Sequence, residues 1–387
     1  MSARPPARIR LGMIGGGEGA FIGAVHRIAA RLDDRYEFVA GALASTPDKA
    51  KRSGIALGLD EARSYPDYAA MIAGEAQRKD GIEAVAIVTP NHVHAPAALA
   101  CLAGGLHVIC DKPLALDLEQ GRTLAAAAAK SDRVFAVTYN YTGYPMIRQA
   151  RAMIAAGEIG KLRVVQAEYP QDWLSTTLEA TGQKQADWRT DPARSGKAGA
   201  LGDIGTHAFN LLEFVTGDFV DAVACDAQAT LPGRRVDDNA QMLLRLKSGA
   251  RGGLWASQIA VGHENGLRLR VYGETGGFEW HQEEPNTLRF AKFGEAPRII
   301  TRASPSALPA ASRVTRVPSG HPEGYLEGFA TLYAEIARAI DAKRHGRKPD
   351  ADVTFPGVAE GVRGMAFIDA AVRSSAADGA WTKLATD

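Results

Sequence analysis

Three residues of this 387-residue chain, Lys112, Asp203 and His207, have the chemistry and the setting to handle a proton. Asp203 and His207 stand four apart in Gly202-Asp203-Ile204-Gly205-Thr206-His207, at what reads as a helix start, so both fall on one helical face. A histidine titrating near neutral pH can take the proton of a hydroxyl, and a nearby carboxylate can orient it and raise its pKa. The pair also reads as an N-capping aspartate with an incidental imidazole, and one His with one Asp does not fill a metal site, so no metal is expected. Lys112, in Asp111-Lys112-Pro113, is either an ammonium that stabilises a developing alkoxide or a surface ion-pair partner of Asp111.

A second constellation concerns phosphate. Gly15-Gly16-Gly17-Glu18-Gly19-Ala20 follows an apolar run directly and opens a helical pattern that begins Phe21-Ile22, which satisfies G-x-G-x-x-A in its proper context. Glycines let the backbone approach a pyrophosphate, and the helix N-terminus offers free N–H groups and a favourable dipole. Gly15, Gly17, Glu18, Gly19, Ala20, Phe21 and Ile22 are the candidate cofactor-binding residues of this loop, with Gly23 an alternative third glycine. The next strand ends Gly41-Ala42-Leu43-Ala44-Ser45-Thr46, with no acid to hold an adenosine ribose. Ser45, Thr46 and Lys49 suit a 2′-phosphate or are solvated helix-start residues, so NAD and NADP both stay open.

The elements that must position these groups alternate over the first 140 residues. Ile9–Ile14, Tyr36–Leu43, Ala84–Val88, His107–Cys110 and Val134–Thr138 read as strands. Phe21–Leu32, Ala95–Ala103 and Leu118–Ser131 read as helices, and Pro66–Ala76 contains another. Such alternation predicts an α/β architecture with a parallel, doubly wound sheet, an N-terminal Rossmann dinucleotide-binding domain spanning 1–140. Ligands bind beyond the carboxyl ends of such strands, where the chain places Thr89-Pro90-Asn91 with His94, Asp111-Lys112, and Asn140-Tyr141.

The rhythm then changes. A helix over Ile147–Ala156 and a strand over Leu162–Tyr169 precede a polar stretch, Gln171–Lys197, and a helix over Ile204–Val215. Val223–Ala229, Ala240–Leu246, Arg251–Ile259, Leu267–Tyr272 and Gly277–Trp280 follow as strands without intervening helices. They predict an α+β domain over 141–387 with a large, mainly antiparallel open sheet. Ser304–Ser312 reads as a surface loop and Gly324–Lys343 as a helix.

Composition narrows the partners. Lys plus Arg number 45 against 44 Asp plus Glu, which leaves no electrostatic footprint for nucleic acid or an anionic membrane and favours a small-molecule partner. Cys101, Cys110 and Cys225 are too few for a disulfide framework and read as buried thiols of a reducing compartment. The basic start, Met1–Arg10, meets glycines before any signal-peptide length is reached, and no apolar run suffices to span a membrane; a cytoplasmic protein is expected.

Taken together, the glycine loop, Thr89-Pro90-Asn91 with His94, Asp111-Lys112-Pro113 in place of the usual Glu-Lys-Pro, and Gly202-Asp203 with His207 resemble the Gfo/Idh/MocA family of oxidoreductases through nearly the whole chain. The resemblance implies an NAD(P)-dependent dehydrogenase acting on a CH–OH group of a sugar, glycoside or cyclitol, with His207 as acid/base assisted by Lys112 and Asp203. It implies cofactor contacts from Thr89, Pro90, Asn91, His94, Asp111, Lys112 and Asn140, and homo-oligomers, dimers or tetramers, built on the open sheet. Asn140-Tyr141, Gln171-Asp172-Trp173 and Trp188-Arg189 are similar to segments of the family's sugar and glycoside dehydrogenases. Tyr141, Asp172, Trp173, Trp188 and Arg189 are therefore substrate-binding candidates beside Lys112, Asp203 and His207, since an aromatic face with polar neighbours suits a pyranose or cyclitol ring. Two alternatives share the fold: an NAD-dependent glycoside hydrolase that oxidises transiently, and a non-catalytic cofactor-sensing regulator.

Overall fold

The structure, a computed structural model, describes residues 7–385; the first six residues of the basic start lie outside the described residues. Two compact units divide the chain, the first comprising Met1–Ala115, Glu119–Asn140 and Tyr325–Gly361, the second Leu116–Leu118, Tyr141–Gly324 and Val362–Asp387.

The first unit holds five parallel strands in the order β2-β1-β3-β4-β5: β1 (Ile9–Gly15), β2 (Tyr36–Ala42), β3 (Ala84–Val88), β4 (His107–Cys110) and β5 (Phe135–Val137). β3, β4 and β5 are buried along their whole length, as strands covered on both faces must be, and this is why they read as unbroken apolar runs. α1 (Phe21–Leu32), α2 (Pro47–Ala56), α3 (Tyr68–Ala76), α4 (Asn91–Ala103) and α5 (Leu118–Lys130) make the crossovers. Sequence reading gives α2 only as an alternative helix start at Ser45, Thr46 and Lys49, without a range; its buried stripe is Ala50, Ser53 and Gly54. Small residues at i, i+3 and i+4 bring a helix close to its neighbour without apolar periodicity, and a Cβ on Gly54 would stand 2.2 Å from Ser64 Oγ.

A segment expected in the second domain belongs to the first unit. The long helix at Tyr325–Arg344 packs along α1, joining Phe329, Tyr333, Ile336 and Ile340 to Val25 and Ala29 in one buried cluster. Each such large side chain stabilises the packing by roughly 1.5–3 kcal/mol. Beyond that helix, Val137 N donates to Pro356 O at 2.8 Å and covers the β5 edge.

The second unit is built on nine strands. They are β6 (Leu162–Pro170), β7 (Val220–Gln228), β8 (Asn239–Leu246), β9 (Arg251–Ser257), β10 (Arg268–Gly273), β11 (Gly276–His281), β12 (Thr287–Lys292), β13 (Arg298–Thr301) and β14 (Thr382–Lys383). Their order is β13-β12-β11-β10-β6-β9-β8-β7-β14, antiparallel except for β6 with β9. Buried and outward residues alternate along β8, the pattern of a sheet with one covered face. β12, β13 and a helix at Val358–Ala376 were not legible as elements, and the polar stretch from Gln171 to Lys197 contains the short helices Lys184–Arg189 and Pro192–Ser195.

Candidate active site

In the first unit the expected cofactor residues stand at the carboxyl ends of the strands. With strand order 2-1-3, the chain reverses direction between β1 and β3, the switch point where a doubly wound sheet opens a crevice. The glycine loop occupies that point. Gly15 (φ 78°) and Gly19 (φ 75°) take left-handed backbone, which admits glycine at little cost. A Cβ on Gly23 would lie 2.3 Å from Gly16 O, so close packing of α1 on the loop falls to Gly23 rather than Ala20, and the loop is the longer form. Ala20 caps α1 without a side-chain bond, and the first turn carries no acid, so no carboxylate of that turn competes for its N–H groups. Nothing stands within 4 Å of a Cβ placed on Gly19. The loop therefore fits a pyrophosphate.

Other cofactor candidates line the neighbouring strand ends. Glu18 N donates to Ser53 Oγ at 3.1 Å, and the exposed Phe21 ring stacks on Tyr325 with centroids 6.5 Å apart. Ser45 and Thr46 are exposed just beyond β2, with Lys49 half-buried in the first turn of α2 and no acid at the strand end. Thr89 and Pro90 lead into α4, Asn91 is its buried first residue, and Asn140 is buried after β5. Asp111 Oδ1 accepts from Lys112 N at 2.8 Å and from Thr138 Oγ1 at 2.9 Å, so this carboxylate organises the strand-end turn that presents the half-buried Lys112. His94 is fully buried, with Nδ1 2.8 Å from Pro113 O and Nε2 2.9 Å from Thr89 O.

The second unit brings Asp203 and His207 together with groups far away in sequence. Leu201–Gly205 is a π-helical turn leading into the helix Thr206–Thr216, a local irregularity frequent at functional sites. Asp203 does not act as the helix N-cap. Its Oδ2 accepts from Arg189 Nε at 3.1 Å and from Gln258 Nε2 at 2.9 Å, two bonds that favour and orient the carboxylate. Arg189 in turn lies over the Trp188 ring at 4.2 Å and the Trp173 ring at 5.9 Å, so these candidates form one group. Asp172 accepts from Gly262 N at 3.1 Å.

His207 is buried between two phenols. The Tyr141 ring meets it edge-on with centroids 4.8 Å apart, and the Tyr169 ring at 6.2 Å. The two hydroxyls share a 2.5 Å hydrogen bond, and Tyr169 donates to Asn265 Oδ1 at 2.6 Å. Burial raises the Tyr141 phenol above its ordinary pKa. Ahead of the π turn, Asp237 accepts from Gly199 N and Leu201 N at 2.7 Å each, and desolvation pushes its carboxyl up to about 6. Sequence reasoning missed Gln258, Tyr169, Asn265 and Asp237. Each lies on a strand or loop remote from the residue it holds, and no local motif marks it.

Cys101, Cys110 and Cys225 are free and buried. No helix among the described residues is long and apolar enough to cross a membrane.

A glycine loop at the switch point of a doubly wound sheet, followed by a unit that orients an acid and an imidazole, defines a dinucleotide-binding oxidoreductase. Residues 9–139 match the model of the oxidoreductase family with an NAD-binding Rossmann fold, and residues 147–279 that of the GFO/IDH/MocA C-terminal domain. The chain belongs to the Gfo/Idh/MocA family of oxidoreductases, and its first unit is an NAD-binding domain. Among solved structures it is similar to an oxidoreductase of Sinorhizobium meliloti, with 55% identity, TM-score 0.90 and coverage of 98% of this chain and 100% of the other. An inositol dehydrogenase homolog of Azotobacter vinelandii, complexed with NADH and myo-inositol, shares 37% identity with TM-score 0.91 and 97% of each chain covered. A levoglucosan dehydrogenase of Pseudarthrobacter phenanthrenivorans is 28% identical over 97% of this chain and 98% of its own.

Proposed function

We propose that the chain oxidises a secondary hydroxyl of a sugar, glycoside or cyclitol. The hydroxyl proton passes to an imidazole nitrogen of His207, and the carbon gives up its hydrogen with the bonding electron pair. NAD(P), held at the glycine loop, supplies the acceptor for that hydride. The observation that carries this reading is the setting of Asp203 and His207: the carboxylate is locked by Arg189 and Gln258, and the imidazole is wedged between Tyr141 and Tyr169. A general base held this way loses little freedom when it works.

Lys112 supplies positive charge to the developing alkoxide. Trp173, Trp188 and Arg189 offer a flat apolar surface beside a polar edge, suited to a ring with C–H faces and a hydroxylated rim. The hydroxyl of Tyr141 is engaged by Tyr169, so Tyr141 contributes through its ring. The inositol dehydrogenase homolog and the levoglucosan dehydrogenase support this substrate class.

The test is oxidation of a panel of sugars, anhydrosugars and cyclitols with NAD and with NADP, followed by absorbance of the reduced cofactor, in the wild type and in His207→Ala. Loss of the base should lower turnover by about 10²–10⁴-fold with the cofactor still bound. A near-wild-type rate in the variant removes His207 from the role. Release of a cleaved sugar without net reduced cofactor would point to the transient-oxidation hydrolase instead.

A further inference from the structure

His94 has a geometry that a cofactor ligand does not need. Its ring is fully buried, and both nitrogens face backbone carbonyl oxygens, Nδ1 toward Pro113 O at 2.8 Å and Nε2 toward Thr89 O at 2.9 Å. Carbonyls only accept. A neutral imidazole has one N–H and one lone pair, so it donates to one of the two, whereas the imidazolium donates to both. The charged groups that face the ring act in opposite senses, Asp111 favouring the cation and Lys112 opposing it, while burial, the largest influence, disfavours it.

The two carbonyls belong to different strand ends. Thr89 follows β3, and Pro113 follows β4 immediately after Lys112. We propose that His94 is a positioning residue that ties the turn after β3 to the turn after β4 and so fixes the backbone that presents Lys112. The proposal rests on the dehydrogenase reading above for what Lys112 does, but the brace itself does not depend on it. His94 acts through Thr89 and Pro113 and makes no contact of its own with the cofactor.

The test compares His94→Leu, which keeps bulk and removes the ring nitrogens, with His94→Gln, which restores an amide donor. Single-turnover hydride transfer should fall about a hundredfold in His94→Leu, since small displacements of a catalytic group cost about that much, and His94→Gln should recover at least about tenfold of it. NADH affinity, read by fluorescence titration, should change less than about threefold in both variants, because the ring is not a ligand.

Wild-type transfer in folded His94→Leu overturns the proposal. So does a loss of NADH affinity that accounts for the whole rate change, or a His94→Gln variant no better than Leu. If His94→Leu fails to fold, ring ¹⁵N spectroscopy of the wild type decides. A His94 N–H protected from solvent exchange supports the brace, and one that exchanges as fast as an exposed histidine refutes it. Should the wild type oxidise no sugar or cyclitol, the dehydrogenase reading falls, and NADH titration with ring N–H protection still tests the brace.

Discussion

At the scale of single residues, the proposed chemistry depends on two charges held in different ways. Lys112 is presented by a turn whose amide and neighbouring hydroxyl are fixed on Asp111 Oδ1, so Asp111 does backbone work. A surface lysine of this kind would contribute about 0–1 kcal/mol to stability and nothing to rate. If it acts on an alkoxide, Lys112→Met should lower single-turnover hydride transfer by about a hundredfold or more while thermal unfolding stays close to wild type. A well-folded Lys112→Met protein with a normal rate would exclude Lys112 from the reaction. Asp203 is held by side chains, with Gln258 and Arg189 both donating to its Oδ2. Gln258→Leu removes a hydrogen bond to a charged group, worth about 1.5–3 kcal/mol, and should lower kcat about tenfold or more with little change in NADH affinity. If kcat is unchanged, Arg189 alone suffices to orient Asp203.

At the scale of elements, α1 and the Tyr325–Arg344 helix carry a titratable contact in their shared core. His26 Nδ1 lies 2.8 Å from Tyr333 OH, and burial takes the imidazole from an ordinary 6.5 to about 4, against Asp111, which pulls it up, and with Arg27, which pulls it down. His107, at the start of β4, is likewise lowered to about 4, chiefly by burial. Between those values the unfolded chain binds more protons than the folded one, so stability rises with pH there and is lost as pH falls from 6.5 toward 4. Each group accounts for about 3 kcal/mol when the change is complete. Asp237, raised to about 6 from an ordinary 3.8, works in the opposite sense, because the folded chain keeps its proton longer. Tm measured from about pH 7.5 down to about pH 5 should fall, and His26→Gln should shrink the fall. An identical drop in the variant would clear His26.

At the scale of the whole molecule, the nine-stranded sheet turns one face outward. Val164 on β6 and Tyr272 on β10 are cross-strand partners there, and Leu243 on β8, 61% exposed, stands two strands away from β6. Glu168 lies within 3.5 Å of both Arg268 and Arg270 across the same pair of strands. Apolar residues set among paired charges on a broad flat face suit a second copy of the chain. We propose a dimer or tetramer built on this face. Sedimentation should give a dimer or tetramer mass for the wild type and a smaller one for Leu243→Asp/Tyr272→Asp. A monomeric wild type at micromolar concentration would refute it.

The sequence by itself determined what local periodicity and local chemistry can encode. Buried parallel strands read as apolar runs, the glycine loop announces its turn and its anion site, and four-residue spacing sets Asp203 and His207 on one short stretch of chain. It could not give α2 a range beyond an alternative helix start, because its contact face is Ala50, Ser53 and Gly54 and small residues carry no hydrophobic signal. The reach of Gln258 and Arg189 to Asp203, the phenols flanking His207, the return of Tyr325–Arg344 to α1, and the two carbonyls that hold His94 were decided only by the tertiary structure. A side chain's hydrogen-bond partner is chosen by where the sheets and helices carry distant segments, and residues 55 or more positions apart, as Gln258 and Asp203 are, leave no trace of that choice in the order of the chain.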